Sequence, residues 1–147
     1  MSHDFYKTKT KLGKKLIDLS SDTLKLILVM ANSTCPTDRD AEFVADFVDL
    51  DEYDGANYAR KTLSTQDFVD DATNKRSKLT ADDITYSLLG AGTRNCIGAL
   101  LIAFVSDDSD SMPLFYFDQP TGSLGFPFNG NGGNVPINPA STGWLYF

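Results

Sequence analysis

The sequence predicts a mainly-β single domain, an antiparallel sandwich or barrel-like fold with a short helical segment at its start. Three observations carry this. Ile84, Tyr86 and Leu88 alternate with Thr85 and Ser87, the period of two that belongs to a strand with one buried face. Cys96 to Val105 is almost continuously apolar, as in a strand covered on both faces. Short apolar runs elsewhere are separated at regular intervals by turn residues.

From Phe5 to Leu19 the apolar residues Phe5, Leu12, Leu16 and Leu19 share roughly one helical face, with lysines between them. Gly13 weakens the middle, which leaves either one amphipathic helix or two short turns. Residues 1–10 read as an extended or mobile arm. After the Ser20-Ser21-Asp22 turn, Thr23 to Met30 is a strand, and Ala31 to Asp40 is a loop marked by Asn32, Pro36 and Asp38. Ala41 to Leu50 suits a helix better than a strand, through Phe43, Val44, Phe47, Val48 and Leu50. Tyr58 to Leu63 and Gln66 to Val69 read as short strands, followed by a polar hairpin around Asp70 to Lys75.

The central run supplies the next strands, with a polar turn from Ser106 to Ser111 before Leu114-Phe115-Tyr116-Phe117. Leu101 and Phe104, inside the continuous run, are expected to be nearly fully buried. Leu124 to Phe128 reads as an edge or irregular strand, because Pro127 has no N–H for a ladder. Asn129 to Asn134 is a glycine-rich loop. Val135–Asn138 and Gly143–Phe147 would be the closing strands.

With 147 residues the chain suits one domain, residues 1–147. The net charge is -7, yet residues 1–25 carry six Lys against three Asp, so the remainder sits near -10. An acidic body argues against nucleic acid as a partner, since phosphates call for a basic footprint. The longest apolar run is about half of what a membrane-spanning helix needs, and no apolar signal segment is visible in Met1 to Lys15. Neither nucleic acid nor a membrane is therefore an expected partner.

Catalytic inventory is thin. The sole histidine, His3, lies in the expected arm, which leaves serine or cysteine nucleophiles without a base. One His and two distant cysteines, Cys35 and Cys96, do not make a zinc ligand set, and Cys96 reads as a packed free thiol. Carboxylates gather at Asp49, Asp51, Glu52 and Asp54 and again at Asp107, Asp108 and Asp110. Tyr53 stands where a calcium ligand is needed and no downstream Glu follows, so these read as solvated acidic loops. No catalytic residue, cofactor or metal is expected. Of the many aromatics in or beside loops, most read as core.

The order of segments resembles a family of small bacteriophage structural proteins, encoded near capsid and head–tail genes. The segments are the lysine-bearing amphipathic start, SDTLKLILV (21–29), the Tyr53-Asp54-Gly55-Ala56-Asn57-Tyr58-Ala59-Arg60 stretch, and LTADDITYSLL (79–89). Cys96–Val105, Leu114–Asp118 and NGNGG (129–133) complete the series, which covers roughly residues 10–147. Two places depart from it: Val135-Pro136-Ile137-Asn138-Pro139, where a tryptophan-bearing strand is usual, and Phe126-Pro127-Phe128. The two prolines at 136 and 139 argue against a regular final hairpin.

The resemblance implies a virion component without catalysis, most readily a capsid decoration or cement protein. Its partners would be the major capsid protein, other virion proteins and further copies of itself, a trimer in symmetric surroundings. A tail or neck component and a receptor- or carbohydrate-binding module stand as alternatives. The expected interface is the lysine-rich start (Lys7, Lys9, Lys11, Lys14, Lys15) together with Leu124, Phe126, Pro127 and Phe128, where apolar groups meet a backbone ill-suited to a ladder.

Overall fold

The computed structural model describes residues 2–118, 125–137 and 144–147. In chain order they form β1 (His3–Asp4), α1 (Tyr6–Gly13), β2 (Leu24–Met30), β3 (Lys61–Thr62), β4 (Asp67–Asp71) and β5 (Arg76–Thr80). Then come β6 (Ile84–Tyr86), β7 (Cys96–Ala103), β8 (Met112–Phe117), β9 (Val135–Ile137) and β10 (Leu145–Tyr146). The described strands are all paired antiparallel, in a five-stranded sheet ordered β1-β8-β7-β2-β3, a three-stranded sheet β10-β5-β4 and a two-stranded sheet β6-β9. The mainly-β expectation holds, and among the described residues the sheets do not close into a barrel.

The organising pair is β2 with β7, in register from Leu24 opposite Ala103 to Val29 opposite Gly98, with a one-residue shift before Met30 meets Cys96. Successive side chains leave opposite faces of a strand, so each strand of this pair feeds two separate clusters. Leu24, Leu26, Leu28, Ala99, Leu101 and Ala103 point into one, against Leu79 and Leu145 of the three-stranded sheet and Ile84, Tyr86, Val135 and Ile137 of the two-stranded sheet. Ile27, Val29, Leu100 and Ile102 point into the other, roofed by Phe5, Cys35, Ala41, Val44 and Phe47. That double cover is the reason the sequence from Cys96 is apolar without alternation.

The roof departs from expectation. Ala41–Leu50 contains one 3-10 turn, Val44–Asp46, and no longer helix. The Asp46 carboxylate takes the N–H groups of Glu42 and Phe43, while Val44 and Ala45 donate to Ser111 and Asp108 in the loop between β7 and β8. Backbone groups committed to side chains and to another loop are lost to an i→i−4 ladder. Val44 and Phe47 are buried as anchors of a covering loop.

Residues 3–10 likewise form strand and helix where an extended arm was expected. β1 adds to β8, with His3 opposite Tyr116, and Phe5 is wholly buried between His3 and Phe47. α1 has no side-chain cap and no acid in its first turn. It is held by tertiary contact, Thr8 Oγ1 donating to the Pro113 carbonyl at 2.5 Å.

Smaller corrections share one cause, the early end of a strand. β7 stops at Ala103, so Phe104 is half-buried, its ring covered by the Lys25 ammonium at 3.5 Å. β6 stops at Tyr86, and Leu88 turns to φ 52 with its side chain exposed. In keeping with the two prolines, β9 and β10 do not pair with each other as a hairpin: β9 pairs with β6, placing Pro136 opposite Thr85, and β10 pairs with β5. Asn138, Pro139 and Gly143 lie outside the described residues.

Leu101, with no exposure, sits at the middle of the doubly covered pair. Leu101→Ala is expected to cost about 2–5 kcal/mol by lost transfer energy and the cavity left behind. Denaturant melts of the variant check this, and a loss under about 0.5 kcal/mol would contradict the packing.

Candidate functional site

Three glycine-bearing loops meet at one end of the molecule, and Tyr53 joins them. Its hydroxyl accepts from the N–H groups of Gly92 (2.9 Å) and Gly130 (2.8 Å). Its single proton lies between two acceptors, the Gly90 carbonyl and Asn129 Oδ1, each at 2.8 Å. Gly90 in turn donates to the Ala56 carbonyl, and Leu89 exchanges bonds with Gly132 and Gly133. The loops come so close that a Cβ on Gly55 would stand 2.2 Å from the Gly90 oxygen, and one on Gly130 2.3 Å from it. Glycine is required at both positions by contact.

Beside this lock the acidic clusters are spent on arginines and turns. Arg60 holds Glu52 through Nε (2.9 and 3.2 Å) and Nη2 (2.7 Å), and reaches Asp108 through Nη1 (2.5 Å) and Nη2 (2.9 Å). These contacts tie the 52–60 stretch to the acidic turn after β7 and raise the Arg60 guanidinium further above its ordinary range. Arg94 grips Asp51 through two bonds, and Asp54 caps Thr93. Tyr58 donates to Glu52 at 2.8 Å; burial first, then the Glu52 charge, push its hydroxyl well above the usual tyrosine range. Among the described residues no group of three or more His, Cys, Asp or Glu is placed to hold a metal ion. No described helix is long and apolar enough to cross a membrane.

The surface candidate lies where the three-stranded sheet overhangs its core. Leu79 and Leu145 are buried on its inner face, and the period of two carries that face outward to Ser77, Phe147 and Phe68. The Phe68 and Phe147 rings meet edge to face at 5.6 Å, and the residues remain 41% and 47% exposed. Opposite them stand Leu12 of α1 and the following Lys15, Ile17, Asp18 and Leu19, leaving an open groove of about 470 Å³. A second hollow of about 410 Å³ adjoins it across Ser77 and Phe147, bordered by Asp70 and Lys75. A large apolar surface left open beside polar rims marks a contact site more often than an accident of packing.

The expected interface residues disperse. Lys9 pairs with Asp4, and Lys11 pairs with Glu42 at 2.9 Å while covering the Phe43 ring. Lys7 is half-buried, and Lys14 and Lys15 are exposed, with Lys15 in the groove wall. Leu124 lies outside the described residues. Phe126 and Phe128 pack against the chain's own larger core cluster, and Phe128 exchanges two backbone hydrogen bonds with Cys96, at 2.7 and 3.0 Å. Pro127 is exposed between them. The segment is therefore a patch on the end of β7, because Phe128 has the N–H that Pro127 lacks and pairs it with Cys96.

Both cysteines are free and buried; burial pushes the Cys35 thiol up to about 11 and the Cys96 thiol up to about 12. Sequence reading missed the groove, taking Phe68 and Phe147 as parts of ordinary strands. The available signal was Phe68 set between acids on a strand too polar to be central. Comparison with family models, with curated proteins and with solved structures gives no match in any of the three.

Two outcomes follow from the lock and the acid loops. Tyr53→Phe leaves the Gly130 N–H without its acceptor, while the Gly92 N–H keeps Asn129 Oδ1 at 2.8 Å, and should cost about 1–3 kcal/mol in denaturant melts; an unchanged midpoint would contradict the lock. The Asp51 carboxyl is lowered from 3.8 by its hydrogen bond to Arg94, Asp54 by the Thr93 N–H and hydroxyl, and Asp110 by the Ser106 hydroxyl and N–H. Groups that ionise more readily when folded stabilise the fold fully above the ordinary carboxylate value and lose that contribution as pH falls through their lowered folded values. Stability should therefore decline steadily below about pH 4, with a shallower slope for Asp51→Asn; a flat profile between neutral pH and pH 3 would count against these bonds.

Proposed function

We propose that this chain is a structural component of a bacteriophage particle, of the capsid decoration or cement type. It acts by burying surface across joints between major capsid protein subunits, with no chemical step. The phage class rests on the order of segments from the lysine-bearing start to the NGNGG loop. The observation that carries the mode of action is the groove between α1 and the three-stranded sheet. There Phe68 and Phe147 are held open to solvent by a body rigid enough to present them.

The loop lock supports the same reading. Tyr53, Arg60 and Arg94 spend their polar capacity on fixing loops. A body fixed in this way loses little conformational entropy on docking.

Purified chain added to phage heads that lack it should bind them and raise their thermal stability. Phe68→Ser combined with Phe147→Ser should keep the circular dichroism of the parent and bind at least about tenfold more weakly. A double variant that protects heads as well as the parent would overturn the groove's role, and failure of the parent to bind any head would overturn the reading.

A further inference from the structure

We propose that the groove receives the Phe47–Asp49 loop of a second copy of this chain, so that subunits join head to tail. The inference rests on the reading of the groove as an assembly contact and names its occupant. Val48 is 90% exposed, more than any other large apolar side chain in the described residues. Its position is fixed from both sides. Phe47 is 7% exposed in the smaller core cluster, the Asp49 carbonyl accepts from the Thr34 N–H at 2.8 Å, and the Asp49 N–H donates to Thr34 Oγ1 at 3.2 Å. The chain thus holds an apolar knob out to solvent on a stiff loop, with Asp46 and Asp49 exposed on either side of it.

The groove offers the complementary features. Its floor is apolar, through Leu12, Ile17, Phe68 and Phe147, and its volume of about 470 Å³ admits a loop tip. In a chain of net charge -7 its rim carries the exposed Lys15, with Lys14 exposed beside it in sequence, and the adjoining hollow carries Lys75; of the acids there, Asp71 is paired with Arg76 and Asp18 holds its own turn through Ser20, which leaves Asp70. These lysines lie outside the ion pairs seen among the described residues. A Val48 knob seated on the aromatic pair sets Asp46 and Asp49 against that rim, a contact that weakens with salt.

Knob and groove belong to opposite layers. Phe47 roofs one face of the five-stranded sheet, and the three-stranded sheet bearing Phe68 covers the other. Patches on opposite faces of the molecule cannot both engage about a single two-fold axis, so the contact is heterologous and propagates into a ring when the rotation closes. Pairing of β4 edges between copies is disfavoured. An antiparallel pair centred on Val69 sets Asp67 against Asp71, like charges facing each other, and the Phe68 N–H is already taken by Asp67 Oδ1 at 2.8 Å.

Sedimentation equilibrium of the full chain without phage heads reads the contact directly. Parent protein should self-associate, more weakly as salt rises. Val48→Asp and Lys15→Glu should each weaken association by about tenfold or more, while Lys15→Glu combined with Asp49→Lys recovers part of it. Circular dichroism controls for folding. Val48→Cys copies mixed with Ser77→Cys copies and oxidised should give mixed disulfide dimers, with Cys35 and Cys96 buried and silent. A parent that stays monomeric at every concentration, undiminished association of Val48→Asp, or Val48→Cys homodimers as the main cross-linked product would overturn the head-to-tail contact. A monomeric parent that still binds heads overturns this contact alone; a self-associating parent that ignores heads overturns the decoration reading alone.

Discussion

Burial of the β2–β7 pair on both faces is the constraint on which the other elements depend. A strand with apolar residues at every position has no face to offer water, so each face must find its own cover. On one side two small sheets supply it; on the other the 41–47 loop and Phe5 do so. The N-terminal residues are drawn in for the same reason, since Phe5 belongs to the roof over Ile27 and Leu100. The sheet's two outer strands are short, β1 and β3 having two residues each, and expose little edge for adventitious pairing.

Covers made of loops need something other than a ladder to hold them. At one end the Tyr53 hydroxyl performs that task, gathering backbone groups from two glycine loops within 2.9 Å. Arg60 and Arg94 tie down acidic segments that would otherwise repel one another. The result is a fixed frame that leaves paired rings open at the Phe68–Phe147 groove and a knob at the Val48 loop, with Tyr6, Leu16, Leu88 and Val105 exposed as well among the described residues. On the proposed reading as a particle component that works by contact, the groove and the Val48 loop are the two halves of one joint.

Much of this was readable in the residues. The period of two at Ile84 and Tyr86, the unbroken run from Cys96 and the β2 segment each became strands within a residue or two, because burial pattern alone decides them. The helix expected at Ala41–Leu50 failed because its apolar spacing also fits a loop that anchors by Val44 and Phe47, and only the partner loop at Ser111 selects between them. Phe126 and Phe128, expected at an interface, lie half-buried against the chain's own core: a proline-broken aromatic segment looks orphaned until Cys96 is found beside it. Tyr53-Asp54-Gly55 and the NGNGG loop stood out in sequence, but nothing local reveals that they touch across 77 positions. Of the groove only Phe68, on a strand too polar to be central, was marked in sequence; its walls come together only where α1, β4, β5 and Phe147 converge.

Native-state hydrogen exchange tests the central claim, that the doubly covered pair is the last element to open. The amides of Leu26–Val29 and Ala99–Ile102 should exchange most slowly, with one shared free energy equal to that of global unfolding. The Gly92 and Gly130 amides should open at lower cost and together, as the Tyr53 lock releases. Exchange from the β2 and β7 amides as fast as from the exposed β4 strand, through local fluctuations insensitive to denaturant, would contradict it.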